Sequence, residues 1–89
     1  MAEERVHRHG FEIAARMGGG ADGGPVILLS NSLGATMDMW DAQRPFLERR
    51  YRVIGYDARG HGASGTPFGP YSFDDLVGDA LAVLDHFGV

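Results

Sequence analysis

Two short stretches that carry apolar residues without alternation constrain this chain more than any other feature: Pro25-Val26-Ile27-Leu28-Leu29-Ser30 and Tyr51-Arg52-Val53-Ile54-Gly55-Tyr56-Asp57. A strand with one wet face alternates polar and apolar residues, because successive side chains point to opposite faces. Continuous apolarity marks a strand covered by helices on both sides, as in a parallel sheet. Strands are therefore expected at 26–30 and 52–56. Between them, Met37 to Arg50 reads as partly helical. Trp40, Phe46 and Leu47 can share a face, and Pro45 is tolerated only in a first turn or at a break. A turn near Trp40 and a helix over 44–49 are expected.

The clearest helix follows, over 73–87. Ser72 is a good N-cap, with Asp75 three residues on to complete a capping-box-like arrangement and Asp74 at the positive end of the helix dipole. Phe73, Leu76, Val77, Ala80, Leu81, Leu84 and Phe87 recur at helical spacing as one apolar stripe, from which Asp79 and Asp85 fall away. Gly88 is placed to end the helix. At the other end of the chain, residues 5–8 and 11–16 read as two short strands joined by a turn at His9-Gly10. Residues 18–25 hold five glycines and read as a flexible loop. A β-hairpin followed by β-α-β-α implies an α/β fold with right-handed crossovers and a mostly parallel sheet.

The 89 residues fit one small domain, or part of one if the architecture needs more chain. A chain of this length buries only about two-thirds of its unfolded surface. The absence of cysteine excludes disulfides, thiolate catalysis and Cys-ligated zinc. Eight basic and twelve acidic side chains leave a net charge of −4, which offers no electrostatic footprint for nucleic acid or an anionic membrane. Met1-Ala2-Glu3-Glu4-Arg5 precedes no apolar run, so no secretory signal is read there, and no stretch approaches the length of a membrane span. A cytoplasmic protein is the default expectation.

Two loops are better specified than the rest. Ser30-Asn31-Ser32-Leu33-Gly34 leaves the carboxyl end of the first buried strand, the end at which open parallel sheets bind ligands. Its small residues allow backbone N–H groups to face inward unobstructed, and fixed donors of that kind stabilise an oxyanion without reorganising. A polar loop that satisfies its own backbone is the other reading. Asp57-Ala58-Arg59-Gly60-His61-Gly62-Ala63-Ser64-Gly65 leaves the next strand, and its glycines demand a tight turn. Asp57 and Arg59 are candidates to pair across it. His61 reads as a structural hydrogen-bonder rather than a catalytic group.

Leu28 to Gly34, Met39-Trp40, and Tyr56 to Ser64 together resemble the N-terminal portion of the α/β-hydrolase family. Within that family the likeness is to 3-oxoadipate enol-lactonases and related esterases, and it runs from about Phe11 to Val89. Asp57-x-Arg59-Gly60-x-Gly62-x-Ser64 is shared by many enzymes of the fold, whereas Asn31-Ser32, where most relatives have His-Gly, is more typical of the enol-lactonases. The resemblance implies that the backbone N–H of Leu33 is the first oxyanion donor, with Asn31, Ser32 and Gly34 around it. It further implies a loop from Asp57 through Arg59, Gly60, His61 and Gly62 to Ser64 that shapes the fold, and neither metal nor organic cofactor.

Such hydrolases act through a nucleophile on a Gly-x-Ser-x-Gly elbow, with an acid and a His further along. No such element stands in these residues. The nearest, Gly62-Ala63-Ser64-Gly65-Thr66, has Thr in place of the second Gly and belongs to the wrong loop. His7 and His9 lie by the first hairpin and His86 at the far end of the last helix, so they are not expected to converge on Ser32 or Ser64. The expectation is a partial domain over 1–89, truncated before the elbow strand, with no catalytic residue of its own and no turnover alone. In the family's sheet order the strand 26–30 is central. Its open edge is then expected to pair with the remainder of the hydrolase or with a second copy. The parent would take a small ester or lactone. Two alternatives stay open: a non-catalytic α/β binding or assembly module, and a piece of a dehalogenase or epoxide hydrolase with an Asp nucleophile.

Overall fold

A computed structural model describes residues 3–20 and 24–89. Strands β1 (Glu4–Arg8), β2 (Phe11–Gly18), β3 (Val26–Leu29) and β4 (Arg52–Tyr56) form one sheet in the order β1-β2-β4-β3. A 3-10 turn at Met37–Trp40 and a one-turn helix α1 (Arg44–Leu47) connect β3 to β4, and helix α2 (Phe73–His86) follows. The hairpin closes at Arg8 and Phe11 around His9-Gly10, with Gly10 at φ +82, where a Cβ would be strained.

β3 and β4 are parallel, while β1–β2 and β2–β4 are antiparallel. The parallel character expected of the sheet is thus carried within these residues by β3–β4 alone. The hairpin reverses the chain, and β2 returns alongside β4 in the opposite direction. Alternation along β4 sends its side chains to two different layers. Ile54 and Tyr56 join Val6, Ile13, Ala15 and the α2 residue Val83 in one core. Val53 and Gly55 lie beneath Met37 and Arg44, where Arg44 Nη2 donates to the Val53 carbonyl at 3.1 Å. A Cβ at Gly55 would stand 2.9 Å from Arg44 Nη1, so a larger residue there would force the guanidinium to shift. Ile13, Val53, Ile54 and Val83 are completely buried. Each such side chain contributes roughly 1.5–3 kcal/mol.

β4 is covered on both faces, as its composition predicts, but β3 is not. Val26, Ile27 and Leu28 are half-buried, only Leu29 is buried, and β3 is the last strand of the sheet among the described residues. Ser30 falls outside β3 and belongs to the loop that follows.

Other local expectations are overturned by tertiary packing. A helix with one apolar stripe ordinarily turns that side to the core and its acidic residues to water. Instead Asp79 and Val83 are the buried residues of α2, and Phe73, Leu76, Val77 and Leu81 are exposed. α2 rests on β1 and β2 rather than across β3, and Arg8 and Arg59 draw the Asp79 carboxylate inward. Phe46 does not share a covered face with Trp40 and Leu47, because α1 is a single turn; its ring faces solvent with the Arg49 guanidinium 5.9 Å away. Gly18, expected in a flexible loop, ends β2 opposite Val53, and the Gly20 N–H donates to the Glu48 carbonyl at 2.9 Å. Residues 21–23 of that expected loop lie outside the described residues.

The start of α2 is built as its sequence indicates. Ser72 Oγ accepts from the Asp75 N–H at 3.1 Å and Asp75 Oδ2 accepts from the Ser72 N–H at 2.9 Å. Gly88, at φ +75, follows its end. Among the described residues no helix is long and apolar enough to cross a membrane.

Candidate functional site

The loops leaving β3 and β4 meet at the carboxyl end of the sheet, and the second is the more rigidly determined. Asp57 is buried and accepts from two backbone donors, Met37 N–H to Oδ1 at 2.7 Å and Ala63 N–H to Oδ2 at 2.9 Å. It therefore ties the start of the 3-10 turn to its own loop. Gly62, at φ +48, lies against this carboxylate so closely that a Cβ would collide with it. Ser64, also buried, donates to the Asp57 carbonyl at 2.5 Å and accepts from the Ala14 N–H at 2.9 Å. Gly65 N–H donates to Glu12 O at 2.8 Å, which secures the loop to β2.

Arg59 does not pair with Asp57. Its Nε and Nη2 donate to Asp79 Oδ2 and Oδ1 at 2.7 and 2.8 Å, and Arg8 Nε reaches Asp79 Oδ1 at 2.8 Å. Asp57 is already satisfied by backbone N–H groups, whereas Asp79 on α2 offers a two-oxygen fork that suits a guanidinium. The Arg59 guanidinium also lies 4.9 Å from the Phe11 ring centroid and 5.2 Å from that of Tyr71. The hydrogen bond to Asp79 holds its pKa above the ordinary arginine value, so Arg59 stays charged. Together these contacts fasten the loop to β1, β2 and α2.

The first loop is held from outside. Asn31 Nδ2 donates to the Tyr56 carbonyl at 2.7 Å, while its Oδ1 accepts from Trp40 Nε1 at 2.9 Å. The Asn31 amide is thus occupied as a brace between β4 and the 3-10 turn. Ser30 Oγ and Tyr56 Oη share a hydrogen bond of 2.9 Å. The Ala35 N–H donates to Ser32 O at 3.0 Å, closing a four-residue turn whose third residue, Gly34, has φ +80. The Gly34 N–H donates to His61 Nε2 at 2.9 Å. Ser32 is exposed, as is the Leu33 side chain at 93%. Among the described residues the Leu33 N–H has no hydrogen-bond acceptor.

The structure thus brings Asn31, Ser32, Leu33 and Gly34 together with His61, and seats Asp57, Arg59, Gly60, Gly62 and Ser64 behind them as support. Sequence reasoning missed Tyr56 and Asp79 as partners in this arrangement, and no local signal identifies either. A groove of about 430 Å³ opens beside the first loop, bounded by Ser30, Asn31 and Tyr56 on one side and Phe73, Leu76 and Val77 of α2 on the other. Among the described residues no His, Asp or Glu cluster is arranged to hold a metal ion.

The sheet order, the two braced loops and the α2 cap define a recognisable class. The family described as alpha/beta hydrolase fold matches residues 25–89, and the chain belongs to it. Over 65 residues it is 49% identical to 3-oxoadipate enol-lactonase 2 of Acinetobacter baylyi, covering 73% of this chain and 24% of that protein. The crystal structure of a hydrolase from Pseudomonas aeruginosa PA01 superposes with a TM-score of 0.90 at 45% identity, over 98% of this chain and 33% of that one. The enol-lactonase of Burkholderia xenovorans LB400 gives 0.88 at 41% identity, over 94% and 33%. The chain therefore spans about a quarter to a third of the length of the relatives it matches.

Proposed function

We propose that these residues form the oxyanion-binding N-terminal part of a hydrolase that cleaves a lactone or carboxylic ester, with the Leu33 N–H as one donor to the tetrahedral oxyanion. The observation that carries this reading is the Leu33 N–H itself. It lies in a turn braced on both sides, by Asn31 and by the Gly34–His61 bond, and it has no acceptor among the described residues. A backbone donor held in place before charge develops needs no reorganisation when the oxyanion forms. The identity to enol-lactonases and the Asn31-Ser32 pair favour a lactone or ester as the substrate class.

On this reading the nucleophile, its base and the second oxyanion donor lie on other segments, since no Gly-x-Ser-x-Gly element stands in these 89 residues. The 89 residues alone are inactive, and the open side of β3 receives either the strand that carries the nucleophile or a second copy of this chain. A cytoplasmic setting accompanies this reading.

The test is a chimaera in which the whole 89-residue chain replaces the matched third of the Burkholderia xenovorans enol-lactonase. It is expected to hydrolyse the enol-lactone, whereas the isolated chain turns over no ester above a denatured control. Leu33→Pro, which deletes the N–H, is expected to lower kcat of the chimaera by about 10²–10³, the usual cost of losing one oxyanion donor. A folded Leu33→Pro chimaera with undiminished kcat overturns the assignment of Leu33. Turnover by the isolated chain overturns the claim that it lacks a complete site.

A further inference from the structure

The turn at Ser32–Ala35 has little packing to hold it. Ser32, Leu33 and Gly34 are all exposed, and a Cβ built on Gly34 would meet nothing within 4 Å. In a turn of this kind the central peptide, here Leu33–Gly34, has two orientations related by a flip. They differ in whether the Gly34 N–H or the Leu33 carbonyl points outward on a given side. Something other than packing must select between them.

His61 is built to do so. Its backbone is fixed on both sides: its N–H donates to Ala58 O at 3.0 Å, its carbonyl accepts from Ser64 N–H at 3.1 Å, and it lies between Gly60 and Gly62, both at positive φ. Its ring makes two hydrogen bonds that require the same tautomer. Nδ1 lies 3.0 Å from the Arg59 carbonyl, which can only accept, so Nδ1 carries the proton. Nε2 is then a lone pair, which is what the Gly34 N–H at 2.9 Å demands. A flipped Leu33–Gly34 peptide would set a carbonyl oxygen against that lone pair and be repelled.

We infer that His61 is a positioning residue for the oxyanion loop: its neutral Nε2 accepts from the Gly34 N–H and so fixes the Leu33–Gly34 peptide next to the donor at Leu33. With Asn31 braced on the other side, the Leu33 N–H lies between two anchored points. This inference rests on the reading of Leu33 as an oxyanion donor and adds the residue that orients it. On this reading His61 acts through the Gly34 N–H and not on the substrate.

The discriminating variants are His61→Gln and His61→Leu. Glutamine can set its Oε1 where Nε2 stood and still accept from Gly34; leucine fills similar space without an acceptor. In the chimaera, His61→Leu is expected to lower kcat about tenfold or more with KM little changed, since a donor displaced by a fraction of an ångström weakens only the transition-state contact. His61→Gln is expected to restore most of that loss. The same pair is read in the 89-residue chain by amide hydrogen exchange, where Gly34 is protected in the parent and in His61→Gln and loses that protection in His61→Leu.

Equal losses in His61→Gln and His61→Leu, or a His61→Leu chimaera with the kcat of its parent, would overturn the inference. So would a Gly34 amide that exchanges at the same rate in all three chains. Leu33→Pro separates the two levels. If it lowers kcat while His61→Leu leaves kcat at its parent value, only the role of His61 falls; if it leaves turnover intact, the oxyanion reading falls first and takes this inference with it.

Discussion

The two loops at the carboxyl end of the sheet are stabilised in opposite ways. The loop after β4 is anchored by buried polar groups: Asp57, Arg59 and Ser64 each lie at 8% exposure or less, and each makes at least two hydrogen bonds. The loop after β3 is exposed and is held by borrowed groups, the side chains of Trp40 and His61 and the carbonyl of Tyr56. A loop whose own polar groups are spent internally is a scaffold. One held from outside can keep a backbone donor unspent, and that is the loop whose N–H is proposed to meet the substrate.

If this contrast is right, damage to the scaffold is global and damage to the presenting loop is local. The largest effect is expected from Asp79→Ala, which strips the close partner from Arg59 and Arg8 and leaves buried Arg59 only the longer 3.9 Å pair to Asp75. Removing one side of a buried ion pair costs about 3–5 kcal/mol. Total domain stabilities are only about 5–15 kcal/mol, so loss of the cooperative denaturant transition is the expected result. A variant that melts within a degree or two of its parent would show that α2 is held by Val83 and its apolar neighbours instead.

Asn31→Ala is the counterpart in the presenting loop. It removes the brace to Tyr56 O and Trp40 but leaves the Asp57 and Asp79 networks intact. The expected cost in global stability is about 1 kcal/mol, the usual net worth of such bonds, because the freed groups are only partly buried. Locally the change is larger: amides of residues 31–34 exchange faster, and Trp40 fluorescence shifts as its indole N–H loses its acceptor. A global cost equal to that of Asp79→Ala would erase the distinction between the loops.

The smallest effect is expected at the start of α2, whose link to the loop after β4 is the long ion pair from Arg59 Nη1 to Asp75 Oδ2 at 3.9 Å. The backbone N–H of Ser72, followed by its side-chain hydrogen bond, holds the Asp75 carboxyl below its ordinary value of 3.8. A carboxylate whose pKa is lower in the folded chain contributes stability that is present above the unfolded value and is lost as pH falls through the folded one. Acidification below the ordinary carboxylate range should therefore loosen the first turn of α2. Amide exchange at Asp75 and Leu76 is expected to accelerate there. Unchanged exchange at these amides in acid would show that the capping box does not hold this turn.

Much of the architecture is legible in local sequence because the signals are local. Unbroken apolar runs identify β3 and β4, and the helical period of apolar residues identifies α2. Ser72 and Asp75 announce the start of α2, and Gly10, Gly34 and Gly60 mark turns that need positive φ. The same locality explains the errors. The apolar stripe of α2 shows that the helix has an apolar side without specifying which part β1 and β2 will cover, so Leu76, Val77 and Leu81 remain exposed while Asp79 is buried.

What the amino-acid sequence determines by itself, then, is the set of elements, their order, and the two loops that leave the buried strands. Only the tertiary structure decides which polar groups satisfy one another. Asp57 finds Met37, Arg59 finds Asp79 and His61 finds Gly34, across separations of 20, 20 and 27 residues. Secondary structure follows from backbone bonds and side-chain spacing within a few residues. The partner of a buried carboxylate or imidazole depends on where the chain returns, and that is settled by packing three layers around β4. The loop that offers the Leu33 N–H is therefore visible in the sequence, and the histidine that orients it becomes visible only in the fold.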